Sequence, residues 1–362
     1  MPADVIVGLQ FGSEGKGKVA AALAPYYHAA VRVGAPNAGH SVIKDDVTYK
    51  MRQIPCAWVN PECKLYVGAG GLINPEVLEE EFTMLEGHQV KNRFFIDGNA
   101  GLVLPEDIDT ENAIKMFEGI GSTAEGIGAA QARKVIRKNA KIARDWPELE
   151  RYIAPDKVAL MLAAHLANGD NVQFEGTQGF GLCLNHAYKY PFCTSRDILS
   201  SSILSDAGVS PKSIRHVFGV LRTYPIRVFG NSGPMGAKEL LWDEVARRSG
   251  YPELCEKTTV TRRVRRVSEF NMEMVKEACV MNGVTALFVN FADYIDVNLR
   301  GVNSFHEICQ HDAFGDFAQA LQSATGVKIA GISTGPKTDE MVWTDYGTQI
   351  TSELFRAVPV AN

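Results

Sequence analysis

Gly8-Leu9-Gln10-Phe11-Gly12-Ser13-Glu14-Gly15-Lys16-Gly17-Lys18 follows a short apolar run, Val5-Ile6-Val7, and leads into an alanine-rich segment, Val19 through Leu23. Strand, glycine loop, helix is the order that turns backbone N–H groups and a helix N-terminus toward phosphate oxygens. Gly12, Gly15 and Gly17 let a phosphate approach the backbone with no Cβ in the way, and Lys16 and Lys18 add positive charge. Residues 12–18 fit G-x4-G-K, but Val19 stands where a P-loop places its magnesium-binding Ser or Thr. The stretch predicts a nucleotide-phosphate loop whose metal is held by other groups. A plain glycine turn between two core elements is the alternative, and two lysines among four glycines argue against it.

The rest of the chain is built to carry such a loop. Its 362 residues are 46% apolar and 22% charged, ordinary for a protein with a sizeable core. A formal charge of −5 argues against nucleic acid as a partner, so any positive site has to be local. No run of about eighteen apolar residues offers a membrane span, and Met1-Pro2-Ala3-Asp4 leads straight into a strand rather than a signal peptide. Seven cysteines without a C-x-x-C pair read as reduced thiols in a cytoplasmic protein.

Val31-Arg32-Val33, Leu65-Tyr66-Val67, Phe94-Phe95-Ile96, Val172-Gln173-Phe174, Val217 to Leu221, Leu287-Phe288-Val289 and Ile329 to Ile332 read as short buried strands. Pro75 to Glu86, Pro155 to Ala167, Glu269 to Met281 and Phe314 to Ser323 read as helices. The alternation predicts an α/β fold, a mostly parallel central sheet flanked by helices with ligand loops at the strand ends. No shift in composition marks a boundary, so residues 1–362 are expected to form a single domain with inserted loop subregions.

The opening loop resembles the N-terminal signature of the adenylosuccinate synthetase family, Q-W-G-D-E-G-K-G, with Phe11 for Trp and Ser13 for Asp. In that family the aspartate is the general base at the purine and also touches Mg²⁺, so Ser13 stands at the most informative departure. The resemblance makes residues 12–18 (Gly12, Ser13, Glu14, Gly15, Lys16, Gly17 and Lys18) nucleotide-binding, with Ser13 and Lys16 catalytic. Asn37-Ala38-Gly39-His40 matches the family's N-A-G-H. It assigns His40 to charge developing on O6, as an imidazolium donor, Gly39 and Ser13 to Mg²⁺, and Asn37 to the purine monophosphate.

Five further stretches follow in the family's order. Gly121-Ser122-Thr123 and the segment through Lys134-Val135-Ile136-Arg137, two cations one helical turn apart, resemble its 5′-phosphate loop and G-I-G-P-x-Y-x-x-K-x-x-R signature. Ser122 and Thr123 inherit the phosphate, and Arg137 reaches the same phosphate across a homodimer. Phe174 to Gly179 resembles F-E-G-A-Q-G, which places Gln178 on the purine. Tyr190 to Ser195 resembles Y-P-Y-V-T-S, making Thr194 a phosphate ligand, and Arg222 to Val228 resembles K-A-Y-S-T-R-V, placing Val228 against the nucleoside.

Thr261-Arg262-Arg263-Val264-Arg265-Arg266 is the densest positive run. Guanidinium groups pair bidentately with carboxylates, which suits a dicarboxylic amino acid better than nucleic acid here, with no aromatic side chains interleaved. The run resembles the family's T-G-R-R-R-R loop, so Thr261, Arg263 and Arg265 fall on L-aspartate, and Arg263 also on the purine monophosphate. Asn290-Phe291-Ala292-Asp293 stands where the family has T-K-L-D, and Ser333, Gly335 and Pro336 match its I-S-T-G-P, the walls of the triphosphate base pocket. Asp293 speaks for GTP, and Phe291 in place of lysine speaks against it. His306 and His311, five apart, do not share a helix face and read as ordinary sequence.

Ser13 decides between two branches of the resemblance. One is the standard synthetase acting on IMP with GTP. The other is the phage-type 2-aminoadenylosuccinate synthetase, which has Ser at this position and acts on dGMP with ATP or dATP. The expectation is the second, a homodimeric C–N ligase of the cytoplasm, or of the host cytoplasm if phage-encoded. A catalytically dead nucleotide-binding regulator would also tolerate Ser13, but has no use for His40, Thr123, Arg263 and Arg265 together. The chain is also somewhat shorter than the usual member, chiefly between Arg137 and Gln178 and after Asp293.

Overall fold

The computed structural model describes residues 2–257 and 263–356. Nine strands form one sheet: β1 (Ala3–Gly8), β2 (Ala29–Arg32), β3 (Lys64–Val67), β4 (Phe94–Ile96), β5 (Val172–Glu175), β6 (Ile214–Arg222), β7 (Ala286–Asn290), β8 (Ile329–Ser333) and β9 (Met341–Trp343). Across the sheet the order is β9-β8-β7-β6-β1-β5-β2-β3-β4, and all neighbours are parallel except β8 with β9. The eight strands expected from the sequence are all in it. Its ninth, the antiparallel edge Met341–Trp343, was not anticipated.

Continuous Val/Ile runs suit these strands because both faces are covered. Val5, Val7, Val31, Val217 and Val289 point into one core, while Ile6, Ala30, Phe218, Val220 and Phe288 point into the other. The four expected helices are Pro75–Met84, Val158–Ala167, Met272–Asn282 and Asp312–Thr325. Asn74 and Asn271 cap the first and third with their side-chain oxygens. The second starts later than its apolar pattern because Asp97, at the end of β4, accepts the Val158 N–H at 2.9 Å.

Because β1 is central and parallel to its neighbours, its C-terminal loop lies in the crevice where ligands of such sheets bind. Helix α1 (Lys16–Leu23) follows that loop directly. A hairpin of His40–Lys44 and Val47–Met51 packs beside α1, turning on Asp45 and Asp46, whose φ values of 52° and 61° fit a two-residue primed turn. A three-stranded sheet of Ile226–Arg227, Glu239–Leu240 and Arg266–Ser268 carries its own small core of Ile226, Trp242, Val245, Leu254 and Val267. Among the described residues no helix is long and apolar enough to cross a membrane.

Candidate active site

The loop after β1 is stapled from within. Glu14 accepts the N–H groups of Gln10 at 3.1 Å and Gly12 at 2.7 Å, and its second oxygen pairs with Lys16 Nζ at 2.6 Å. Glu14 is fully buried and Lys16 is 2% exposed, so both act first on the shape of the loop. The Asn290 amide donates to the Glu14 carbonyl at 2.6 Å, bracing the loop from the end of β7. Lys18 is turned away from the loop mouth toward Ser333 Oγ and the Gly335 carbonyl, both at 2.6 Å. It therefore ties α1 to the wall formed by Ser333 and Gly335, with Pro336 exposed beside it.

His40 enters the site because Arg32 and Glu175 are Cα partners at the ends of β2 and β5, which puts their side chains on one face. Arg32 Nη1 reaches Glu175 Oε1 at 2.8 Å, and His40 Nδ1 reaches the same oxygen at 2.5 Å. Burial and the neighbouring Arg32 push the His40 pKa down to about 4, outweighing Glu175. Although burial opposes ionisation of Glu175, Arg32 and His40 hold it below the usual carboxylate range. The expected imidazolium is thus not the resting form. A neutral ring that donates from Nδ1 to the carboxylate leaves Nε2 as an acceptor, and Nε2 is buried with no hydrogen-bond partner among the described residues.

Cys56 completes a buried trio with His40 and Glu175 whose ligand atoms lie within 4.8 Å of one another, but it does not fit magnesium. Mg²⁺ takes oxygen ligands, whereas this set offers a thiol held protonated by burial, an imidazole, and a carboxylate already bound to Arg32.

On the purine side the structure brings together three residues singled out from separate motifs. Gln178 Nε2 donates to Thr194 Oγ1 at 2.9 Å and lies 3.5 Å from Asn37 Oδ1. Gln178 packs under the loop, its Cα 3.6 Å from where a Cβ on Gly12 would be. Ser13, Gln178 and Phe291 all have positive φ, 58°, 57° and 63°. Left-handed backbone at non-glycine residues costs on the order of 1–3 kcal/mol each and concentrates at functional sites.

The arginine side closes over Ser13. Arg265 Nη1 lies 3.1 Å from Ser13 Oγ, and Arg222 Nη1 donates to the Ser13 carbonyl at 3.2 Å. Arg263 lies over the rings of Phe117 and Phe229, at 5.0 and 5.7 Å from their centroids, and Val228, which precedes Phe229 in the chain, is half-buried. Thr261 lies outside the described residues. In the base pocket, Phe291 does not present both faces to a ligand: the Arg222 guanidinium sits 4.0 Å from its centroid. Asp293 is 4% exposed, and burial raises its carboxyl to about 7 against the pull of Lys18.

Thr123 and Arg137 are separated by helix α2 (Ile127–Ile136), whose ten residues span about 15 Å. The two cations expected on one helix face part company. Lys134 turns inward to the carbonyls of Ala69 and Asn99, both at 2.7 Å, while Arg137 ends the helix in a left-handed conformation and is exposed. Ser122 Oγ accepts the Ala124 N–H at 3.2 Å, shaping the turn that exposes Thr123. His306 and His311 form no joint site, since His311 pairs with Asp296 at 2.8 Å.

The adenylosuccinate synthetase family profile matches residues 5–147 and 141–299. The chain belongs to the adenylosuccinate synthetase family. The adenylosuccinate synthetase of Thermococcus sibiricus is 37% identical over 94% of this chain and 98% of its own length, and that of Methanococcus vannielii is 36% identical with the same coverage. The compact length is therefore shared with these archaeal enzymes. The solved structure of cyanophage S-2L succinoaminodeoxyadenylate synthetase, bound to dGMP and dATP as an energy donor, matches 99% of both chains with a TM-score of 0.80 at 28% identity. Adenylosuccinate synthetase of Plasmodium falciparum shares the fold, with a TM-score of 0.84 at 20% identity.

As a member of this family the chain is a C–N ligase that condenses aspartate with a purine nucleotide. Four charged residues of the synthetase site went unassigned in the sequence: Arg32, Glu175, Arg222 and Glu256. The signal available for them was position, a charged residue ending a buried apolar strand in the case of Arg32, Glu175 and Arg222.

Proposed function

We propose that this synthetase, working as one domain, joins L-aspartate to C6 of dGMP with ATP or dATP, through a 6-phosphoryl intermediate, giving N6-succino-2-amino-2′-deoxyadenylate. The observation that carries the reading is Ser13 in place of the family's carboxylate, beside the Gln178–Thr194–Asn37 cluster and under Arg265. A carboxylate there would accept from N1–H and N2–H₂ of a guanine together and hold it in an unproductive pose. IMP carries only hydrogen at C2, so it has no use for the extra room that a serine leaves. The likeness to the cyanophage enzyme supports the same choice.

The chemistry follows from the residues. In the first step N1 loses its proton to water and the γ-phosphoryl group passes to O6, releasing the diphosphate, with Lys16 and the N–H groups at the start of α1 offsetting the negative charge. His40 meets that group as a neutral ring. An approaching phosphoryl dianion raises the imidazole pKa, so proton uptake at Nε2 turns it into a donor when charge develops. In the second step the aspartate amine attacks C6 and phosphate leaves, with Arg263, Arg265 and Thr261 positioning the amino acid, a contribution chiefly of proximity. The Gly39 carbonyl, at an open turn, and phosphate oxygens suit Mg²⁺, which supplies further charge neutralisation. Ser13 Oγ faces the Arg265 guanidinium and is the weaker ligand of the two expected.

The second reading, IMP with GTP, is favoured by the retained Asp293 and by the archaeal relatives. Arg137 is assigned to the phosphate of a partner's site in a homodimer, a reading supported by Val135 and Ile136 beside it, each 66% exposed. Steady-state kinetics of the wild type and Ser13→Asp with dGMP and IMP side by side tests the central claim. The wild type should prefer dGMP and the variant should shift toward IMP. A variant that keeps full dGMP activity and gains nothing with IMP would remove Ser13 as the selector.

A further inference from the structure

Arg222 ends β6 as the Cα partner of Asn290, which places it between the glycine loop and the base pocket. It is fully buried, and a lone guanidinium there would be strongly disfavoured without a counter-charge. Glu256 supplies it: its Oε1 contacts Arg222 Nη2 directly and its Oε2 lies 3.4 Å from Nη1. Glu256 belongs to the segment that leads into the arginine run. Its carbonyl accepts the Arg265 N–H at 2.9 Å, and the next residue, Lys257, bridges to Val264. The carboxylate thus stands between two arginines with different duties. Arg265 reaches Ser13 Oγ from the aspartate side, and Arg222 lies on the Phe291 ring and the Ser13 carbonyl from the triphosphate side.

We propose that Glu256 is a positioning residue that sets Arg265 for L-aspartate and Arg222 for the Phe291 wall of the triphosphate site. It touches neither substrate and acts through the two guanidinium groups. The proposal rests on the aspartate role given to Arg265. Removing the charge takes the counter-ion from buried Arg222 and the electrostatic pull from the Arg265 guanidinium, whose backbone N–H stays on the Glu256 carbonyl, while the purine monophosphate keeps Gln178 and Thr194 on other elements.

The test is Glu256→Gln, with Glu256→Asp and Arg265→Ala alongside, assayed with whichever purine monophosphate supports turnover. In Glu256→Gln the KM for L-aspartate should rise severalfold, because the charge that draws the Arg265 guanidinium is lost. The KM for the triphosphate should rise with it, and the KM for the purine monophosphate should stay near wild type. Glu256→Asp, which keeps the charge on a shorter stem, should recover part of both. Unchanged KM values for aspartate and triphosphate in Glu256→Gln overturn the proposal. So does an equal loss for all three substrates with a lowered melting temperature, the mark of a structural role. A raised aspartate KM in Arg265→Ala with none in Glu256→Gln overturns the positioning role alone. An unchanged aspartate KM in Arg265→Ala overturns the assignment of Arg265 and the proposal together.

Discussion

On the proposed reading, in which Asp293 faces the base of the triphosphate, a single proton decides which base the pocket complements. Burial raises the Asp293 carboxyl to about 7. Below that pH the group is protonated and offers one donor and one acceptor, which matches adenine N1 and N6–H₂. Above it, two acceptor oxygens match guanine N1–H and N2–H₂. The ratio of kcat/KM for ATP to that for GTP should therefore fall as pH rises from about 6 to about 8, the window around this raised carboxyl. Asp293→Asn should flatten the profile, and a ratio independent of pH in the wild type would count against the role of this proton. Clear GTP preference across the range would show that Phe291 carries no weight against guanine.

At the scale of elements, helix α1 packs against the hairpin that carries His40, the residue proposed to meet the phosphoryl group. Gly17 makes the contact close: a Cβ there would lie 2.6 Å from His40 Cβ and 3.1 Å from Cys56 Sγ. Alanine is the better helix former by about 1 kcal/mol, whereas overpacking of this kind costs about 1–3 kcal/mol. Stability should therefore drop only slightly in Gly17→Ala. The His40 ring is displaced, however, and a shift of about 1 Å at a catalytic group can cost about 10²-fold in rate. Kinetics together with a thermal melt checks this: a large fall in kcat with a small fall in Tm is expected. Equal falls in both would place the damage in the fold instead.

At the scale of the whole molecule, helix α2, about 15 Å long, stands in the chain between Thr123 and Arg137. If Arg137 serves a partner's site, Arg137→Ala should raise the KM for the purine monophosphate by a factor worth about 1.5–3 kcal/mol, with the fold intact. Its exposure makes the substitution harmless to the core. Mixing Arg137→Ala with His40→Ala, under conditions of subunit exchange, should regenerate activity, because one site of a mixed dimer receives both intact residues. No recovery would count against shared sites, and sedimentation shows whether dimers exchange.

Much of this protein is legible in one dimension because the responsible interactions are local or repetitive. Apolar runs doubly buried in a parallel sheet announced eight of nine strands, and the glycines and lysines before α1 pointed to a phosphate site, which the proposal retains. Ser13, Gln178, Thr194, Asn37 and Arg265 could each be picked out by resemblance, but their meeting around one loop was decided by the order of the strands that carry them. Charge states were beyond reach, since the neutral His40 depends on burial and on Arg32, which register places beside Glu175. Lys18 was read as a nucleotide ligand, and the fold adds a tie to Ser333 and Gly335, because the turn of α1 on which it sits faces the end of β8. Arg222 and Glu256 stand 34 residues apart, and no local pattern signals their pairing. Only a folded chain brings such a pair out of water together, and there each charge is tolerated because the other is present.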